Sequence, residues 1–349
     1  MAISDVQLLQ AWRDVLNLSK LKAGEAVTIL SSSDTNKQNL EAARNAVIDL
    51  GGVLTVLELP PTNGEIALSR DKVAFLGKTA LHGNKAAMAA LKQSDLVIDL
   101  MLLLFSPEQA EILSGGTRML LAVEPPEVLL RLKPSTEDRR RVLAAAEHLR
   151  GAKKMTVTSK AGTELHCDIG NFPVLTEYGF VDEPGRWDHW PSGFLCTWPN
   201  EKTACGTIVI DRGDILLPFK NYVQEPVRLA VKDGYVETIS GGFDAEFLKS
   251  YMDSFNDRED YAISHVGWGL QPRAQWTALG LYDKEATIGM DARAFYGNFL
   301  FSTGPNTEAG GKRDTPCHMD IPLRACSVSL DGVPMTINGD VVREEQKAA

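Results

Sequence analysis

Residues 25–31, with the sequence EAVTILS, form a short apolar run with β-branched side chains, which is typical of a buried strand. A helix-periodic segment follows over residues 36–50 and ends at the glycine pair 51–52, which favours a helix C-terminus. The next apolar run, residues 53–59, predicts a second strand. A strand, a helix and a strand in this order form a βαβ unit, so this stretch predicts a parallel sheet with helices on its faces.

The same alternation continues to about residue 150. Its further elements are helices over residues 3–18, 85–92 and 136–149 and strands over residues 95–103 and 118–123. Ser106 followed by Pro107 favours a helix start with serine as the N-cap. The sequence therefore predicts an α/β domain with a parallel sheet over residues 1–153.

From residue 154 onwards the pattern predicts a β-rich domain over residues 154–349. Strand-like runs over residues 155–159 and 164–169 are separated by a short turn, as expected of a hairpin. The turn signals of this half are Lys160-Ala161-Gly162, Lys232-Asp233-Gly234 and Leu330-Asp331-Gly332.

Composition and charge exclude several classes of partner. The chain has 349 residues, with 36 Lys and Arg against 46 Asp and Glu, and its net charge of −10 argues against nucleic-acid binding. The longest apolar run, residues 96–105, contains Asp99 and is far shorter than the ~20 residues that span a bilayer. Residues 1–13 lack the pattern of a signal peptide, and the five cysteines show no C-x-x-C spacing. We therefore expect a cytoplasmic protein with no nucleic-acid or membrane partner.

His318-Met319-Asp320 is the strongest candidate for a metal-binding motif. Residues two apart in a strand share one face, so His318 and Asp320 can reach the same ion. His265 is a second candidate, because it ends a predicted apolar strand and precedes Gly267 and Gly269, which permit close backbone approach. Two histidines and a carboxylate form the facial triad of non-haem Fe(II) oxygenases. The same ligands can hold a catalytic Zn²⁺, so the residues alone leave an oxygenase and a hydrolase open.

Residues 186–191, with the sequence RWDHWP, are unusual for a linker because they combine two tryptophans with Asp188 and His189. Two interpretations remain open. One is a loop packed over the domain junction, and the other is an aromatic-walled pocket in which His189 binds a polar ring. The chain has no glycine-rich nucleotide motif and no G-x-S-x-G elbow, so a dinucleotide cofactor or a serine nucleophile of that type is not expected.

Two stretches of the second half resemble the thermophilic leucyl-type metallo-aminopeptidase family, whose members use two metal ions. Residues 191–200, PSGFLCTWPN, are similar to a segment with a metal-binding glutamate, and Phe194 takes its position here. Residues 297–304, GNFLFSTG, are similar to a segment with a metal-binding histidine, which Leu300 replaces. The resemblance implies an N-terminal α/β domain and a β-rich metal-binding domain of the aminopeptidase type.

His265 replaces a second metal-binding glutamate of that family, whereas the pair His318 and Asp320 is unchanged. These departures remove ligands of a two-metal cluster and leave one ion with His265, His318 and Asp320. The altered pattern resembles the iron dioxygenases that open hydroxypyridine rings in bacterial nicotinate catabolism. This resemblance implies Fe²⁺ as the cofactor, a small hydroxylated pyridine and O2 as substrates, and a homo-oligomeric assembly.

Five further residues are assigned hypothetical roles by the chemistry of such a reaction. A hydroxypyridine must lose a proton before oxygen attacks, and Ser302 could bind its hydroxyl or relay the proton. Glu177 and His189 could hold the far edge of the ring. Leu104 and Phe105, at the end of a predicted parallel strand, would wall or gate the cleft.

Two other functions compete with the dioxygenase. The first is a metallo-aminopeptidase-like hydrolase with one Zn²⁺ or a restored metal pair, and the second is a non-catalytic scaffold of the same fold. Phe194, His265 and Leu300 argue against a two-metal peptidase. A scaffold would not require His265, His318 and Asp320 to converge.

Overall fold

The computed structural model describes residues 3–61, 79–104 and 106–348. Within these ranges the helices are α1 Asp5–Leu18, α2 Lys37–Asp49, α3 Lys85–Lys92, α4 Pro107–Ser114, α5 Pro126–Arg131, α6 Thr136–Gly151, α7 Phe243–Asp253 and α8 Met290–Arg293. The strands are β1 Ala26–Ser31, β2 Val53–Glu58, β3 Leu96–Asp99, β4 Arg118–Leu121, β5 Lys154–Ser159, β6 Glu164–Asp168, β7 Leu175–Glu177, β8 Trp187–His189, β9 Phe194–Thr197, β10 Cys205–Ile210, β11 Ile215–Leu216, β12 Asn221–Tyr222, β13 Val227–Lys232, β14 Tyr235–Gly241, β15 Ile263–Gly269, β16 Phe299–Thr303, β17 Met319–Leu323, β18 Cys326–Leu330, β19 Val333–Ile337 and β20 Asp340–Val341.

The predicted parallel sheet of the first half is confirmed. Its strands follow the order β2-β1-β3-β4-β8, and every neighbouring pair is parallel. Asn36 caps α2 by accepting from the backbone N–H of Asn39, and Ser106 caps α4 by accepting from that of Gln109. The local signals for helix starts therefore act as expected, because these side chains satisfy N–H groups that have no partner within the helix.

The third strand is shorter than the predicted run of residues 95–103. β3 ends at Asp99, whose buried carboxylate accepts from the backbone N–H groups of Met101 and Leu103. Leu102 adopts a positive φ of 69° in the resulting turn. The apolar run therefore leaves the sheet at Asp99, and Leu104 lies in a loop rather than at a strand end.

Residues 187–189 form β8, the fifth strand of the parallel sheet, rather than a loop over a junction. Three residues are too few to give a recognisable strand period, so pairing with β4 decides their conformation. β8 follows the predicted domain boundary at 153/154, so the chain crosses back into the first sheet. The boundary itself stays a prediction.

Trp187 and His189 are two apart and share one face of β8, whereas Trp190 lies on the opposite side against Trp12. The ring centroids of Trp12 and Trp190 are 4.9 Å apart in an edge-to-face arrangement. The indole of Trp190 also donates to the carbonyl of Leu129.

The second half is rich in β-strands, as predicted, and most of them form two antiparallel sheets. One has the strand order β14-β13-β10-β6-β5-β18-β19-β20, and the predicted hairpin turns lie between its strands. Asp233 and Asp331 adopt positive φ values of 50° and 49°, each followed by a glycine with positive φ, as a tight hairpin turn requires.

The other antiparallel sheet has the order β17-β16-β15-β9-β7 and carries the metal motif. Every residue of β15, β16 and β17 is buried. A Cβ on Gly267 would lie 2.0 Å from the carbonyl oxygen of Leu195 in β9, so close approach of these strands requires glycine there. Across the described residues, no helix combines the length and apolar character needed to cross a membrane.

Candidate metal centre

Three potential metal ligands converge at one end of this sheet. The Nε2 atoms of His265 and His318 lie 3.1 and 3.2 Å from Oδ1 of Asp320. One ligand atom from each residue falls within 4.8 Å of the others, and all three side chains are buried. Two imidazoles and a carboxylate around one point are a suitable donor set for a divalent transition-metal ion.

A β-bulge aims His265 at the other two ligands. Ile263 pairs with Thr303 and Val266 pairs with Phe301, so β15 has one residue more than β16 between these pairs. His265 therefore lies within the bulge near the start of β15, and not at a strand end as the sequence suggested. The Oγ atom of Ser302 accepts a 2.9 Å hydrogen bond from the backbone N–H of His265. Because of the bulge, this N–H does not take part in the backbone hydrogen bonding between β15 and β16.

Aromatic rings fix the orientation of the His265 imidazole. The ring centroids of Trp198 and Phe194 lie 5.9 and 6.3 Å from that of His265, both edge-to-face. Nδ1 of His265 is buried and has no hydrogen-bond partner among the described residues. Metal-bound histidines usually donate their second N–H to a carboxylate or carbonyl, so packing replaces that hydrogen bond here. Trp198 is itself held by a 3.2 Å hydrogen bond to Glu308.

Arg293 binds the other side of the Asp320 carboxylate. Its Nε atom donates to Oδ2 of Asp320 at 2.7 Å, which leaves Oδ1 directed at the two imidazoles. Burial alone raises the pKa of Asp320, but Arg293 and the histidines outweigh it and hold that pKa well below its usual value. The carboxylate is therefore ionised, as metal binding requires.

A cavity of about 40 Å³ adjoins the three candidate ligands. Its walls are largely apolar, and a few polar groups project from them. The lining residues are Leu104, Leu175, Glu177, Trp187, His189, Phe194, Cys196, Trp198, His265, Ile288, Met290, Arg293, Leu300, His318 and Asp320. A small pocket with apolar walls and few polar groups is typical of a site for a small organic ligand.

Glu177 and His189 are polar groups of this cavity that lie outside the ligand cluster. Burial, followed by the charge of Asp188, raises the pKa of Glu177 to about 8, and Ser192 donates to its carboxyl group at 3.1 Å. Burial, followed by Arg293, lowers the pKa of His189 to about 3, so its imidazole is neutral. Nε2 of His189 is buried and has no hydrogen-bond partner among the described residues.

The structure places most of the predicted site residues together. Leu104, Glu177 and His189 line the cavity with the three candidate ligands. Ser302 is fully buried behind His265 and does not line it. Phe105 lies outside the described residues. Sequence analysis missed Arg293 as a site residue, and α8 carries no motif that could have revealed it.

Replacing Ser302 with alanine is expected to weaken metal binding on the order of 10-fold, because a buried N–H of the bulge loses its acceptor. Calorimetric titration of the metal-free variant with Co²⁺ measures this loss. The matched control is Thr303→Val, since the neighbouring Thr303 hydroxyl has no hydrogen-bond partner among the described residues. An unchanged Co²⁺ affinity in Ser302→Ala would contradict this positioning role.

Comparison with known proteins identifies the family. Residues 7–343 match the model of the NicX family, described as 2,5-dihydroxypyridine 5,6-dioxygenase. The chain belongs to this dioxygenase family. A curated protein named 2,5-dihydroxypyridine 5,6-dioxygenase, from Pseudomonas putida KT2440, is 55% identical to it over 349 residues and 100% of both chains. A solved structure of 2,5-dihydroxypyridine dioxygenase from Pseudomonas putida KT2440 has the same fold, with a TM-score of 0.97. Its sequence is 55% identical, and the match covers 99% of this chain and 100% of that one.

The predicted aminopeptidase-type fold is confirmed as well. Wild-type AmpT from Thermus thermophilus matches this dioxygenase with a TM-score of 0.63 at 13% identity, over 97% of this chain and 99% of that one. At this identity the similarity concerns the fold alone. The activity follows from the family match and from the 55% identical relative. These make the chain a ring-cleaving dioxygenase and do not favour the hydrolase alternative.

Proposed function

We propose that this enzyme uses a single Fe²⁺ ion to open 2,5-dihydroxypyridine between C5 and C6. In this reaction one O2 is consumed, both of its atoms enter the ring-opened product, and that product is N-formylmaleamate. The observation that carries the proposal is the cluster of His265, His318 and Asp320 beside an apolar cavity, in a chain 55% identical to a protein of that name.

His265, His318 and Asp320 would hold the ion. A ferrous ion held by two imidazoles and one carboxylate would supply the Lewis acidity and the electron transfer that O2 activation requires. The preference for iron over zinc is part of the proposal, because both ions accept these ligands.

We assign substrate binding to the polar and apolar groups of the cavity wall. Neutral His189 binds a polar ring atom through Nε2, which has no protein partner among the described residues. Protonated Glu177 donates a hydrogen bond to a ring oxygen. Trp187, Phe194 and Leu104 exclude water from the ring faces, and Phe105 is proposed to extend this wall. Ser302 acts on the ring indirectly, by positioning His265.

The direct test is anaerobic loading of the metal-free enzyme with one equivalent of Fe²⁺, followed by oxygen-electrode measurements with 2,5-dihydroxypyridine. We expect one O2 consumed per ring and the product identified by mass spectrometry, with both atoms labelled when ¹⁸O2 is used. The matched controls are the Zn²⁺-loaded enzyme and 3-hydroxypyridine. Absence of iron-dependent uptake would contradict the proposal, and zinc-dependent hydrolysis of leucine p-nitroanilide would favour the hydrolase.

Glu177 predicts a pH dependence of substrate binding. Because its pKa is about 8, the carboxyl group is a hydrogen-bond donor below that pH and loses its proton above it. We expect the KM of the wild type to rise above pH 8 relative to that of Glu177→Gln, because the Gln variant retains a donor that does not titrate. Glu177→Leu should raise the KM about 10-fold below pH 8, where the wild type still donates this hydrogen bond, and less above it. A pH profile of the Gln variant that matches the wild type would contradict this role.

The same shift predicts a change in stability with pH. Glu177 ionises near its ordinary value in the unfolded chain and near pH 8 in the folded one, so the folded state binds more protons between these values. The free energy of unfolding therefore falls as pH rises from about 4.5 to 8, and the Gln variant should lose less stability over this range. Thermal unfolding at several pH values measures the difference, with exposed Glu164→Gln as the control.

Homo-oligomerisation and a cytoplasmic location are also proposed, from the resemblance and from the cysteine pattern. Light scattering of the purified enzyme tests the first, and fractionation of the source cells tests the second.

A further inference from the structure

Arg293 is a buried cation within the proposed active site, and no motif of the sequence pointed to it. It is the last residue of α8, it lines the cavity, and only 5% of its surface is exposed. Its Nε atom donates to Oδ2 of Asp320, and its guanidinium also donates to the backbone carbonyl of Ile288. The positive charge is therefore fixed beside the only carboxylate of the ligand cluster.

The charges around the proposed ion differ from those of a simple triad. Two neutral imidazoles, one carboxylate and a divalent ion carry a net charge of +1, and Arg293 raises this to +2. Nearby carboxylates offset little of it, because Asp188 is paired with Arg186 and Asp291 with Arg131. Burial raises the pKa of Glu177 and of Glu124, which disfavours their charged forms, and His189 is neutral. Excess charge is costly in a site with apolar walls, so a bound anion is favoured over a neutral molecule of the same shape.

We propose that Arg293 is a specificity-determining residue, which makes the metal-loaded cavity select a monoanionic ring over its neutral form. The inference rests on the proposed function, because it assumes a divalent ion at His265, His318 and Asp320. A hydroxypyridine anion reduces the net charge of the site from +2 to +1, and it is also the electron-rich form that oxygen attacks. Selection by charge thereby favours the reactive form of the substrate.

Other contacts anchor α8, so Arg293 is not needed to hold this helix in place. Arg131 binds both carboxylate oxygens of Asp291, at 2.7 and 2.6 Å. Glu124 accepts from the backbone N–H of Met290 at 2.9 Å and from the hydroxyl of Thr287. These contacts join α8 to elements of the parallel-sheet half independently of Asp320. We therefore expect substitutions of Arg293 to alter the charge of the cavity without displacing α8 from its position beside it.

The test compares an anionic and a neutral probe on Co²⁺-loaded protein, where visible absorption reports ligand binding without turnover. Wild type, Arg293→Met and Arg293→Lys are first brought to one Co²⁺ per chain and then titrated with azide and, separately, with imidazole. We expect the Met variant to bind azide on the order of 10- to 100-fold more weakly, with imidazole affinity nearly unchanged. The Lys variant keeps the positive charge but lacks the planar guanidinium group, and it should retain most of the azide affinity.

Equal losses for both probes, or an azide affinity that is unchanged in the Met variant, would overturn the inference. So would a Lys variant that behaves like the Met variant, since the geometry of the Asp320 contact would then matter rather than the charge. A second measurement uses 2,5-dihydroxypyridine under anaerobic conditions on the Zn²⁺-loaded protein. The absorption spectrum of the bound ring should be that of the anion in wild type and Lys, and that of the neutral form in Met.

These outcomes are distinct from a failure of the proposed function. If the wild type does not retain one Co²⁺ per chain, both the metal site and the inference are wrong. If it retains the metal and discriminates azide through Arg293 but Fe²⁺ supports no ring opening, the charge selection stands and the proposed reaction fails.

Discussion

His265→Ala is expected to lose at least about 100-fold in Fe²⁺ affinity and with it all measurable ring opening. The substitution removes one of three protein ligands, and the remaining pair, His318 and Asp320, cannot retain the ion during gel filtration. The backbone N–H of residue 265 still donates to Ser302, so the bulge and the fold should persist. Metal content after desalting and oxygen uptake measure the two losses.

His166→Ala is the matched control, because His166 is a half-exposed histidine on β6, outside the cavity lining. It should retain the metal content and turnover of the wild type. If His265→Ala kept both iron and activity, the proposed ligand set would be wrong.

Asp320→Asn should be at least as severe, because it removes the only anionic ligand of the cluster. The asparagine is nearly isosteric, so the effect measures charge rather than volume. Metal binding should be undetectable at micromolar concentrations, and turnover should be lost. In the metal-free protein the change also leaves buried Arg293 without its counter-charge, which costs about 3–5 kcal/mol of unfolding free energy.

A double-mutant cycle separates these two effects. Adding Arg293→Met to Asp320→Asn should recover much of the lost stability but none of the metal binding. Asp214→Asn is a suitable control, because Asp214 is a buried carboxylate that accepts backbone N–H groups outside the cavity. Retention of stoichiometric Fe²⁺ by Asp320→Asn would exclude this carboxylate as a ligand.

Much of the fold could be predicted because its signals are local. The βαβ pattern of residues 25–59, the serine and asparagine helix caps and the Asp-Gly turns each depend on side chains a few residues apart. The pair His318 and Asp320 belongs to the same class, since residues two apart in an extended segment share a face without help from the rest of the chain.

Features that depend on distant segments were predicted less well. Residues 187–189 become a strand only because β4 offers an unpaired edge, and the run after Asp99 bends because its carboxylate binds the following N–H groups. Ser302 was assigned to the substrate because of its place in the chain. Its hydrogen-bond partner in the structure is the backbone N–H of His265, 37 residues earlier, which only the register of β15 and β16 reveals.

By itself, the sequence determined that strands, turns and caps form where they do, and that an H-x-D pair presents two ligands on one face. Histidine at 265, with Phe194 and Leu300, gave the resemblance to the ring-opening dioxygenases, and the family match agrees with that activity. Only the tertiary structure decided that a bulge directs His265 at Asp320 and that Arg293, in a four-residue helix, binds the same carboxylate. The physical reason is that backbone propensities act over a few residues, whereas the charge of a buried site is the sum over side chains that strand pairing and packing bring together from remote parts of the chain.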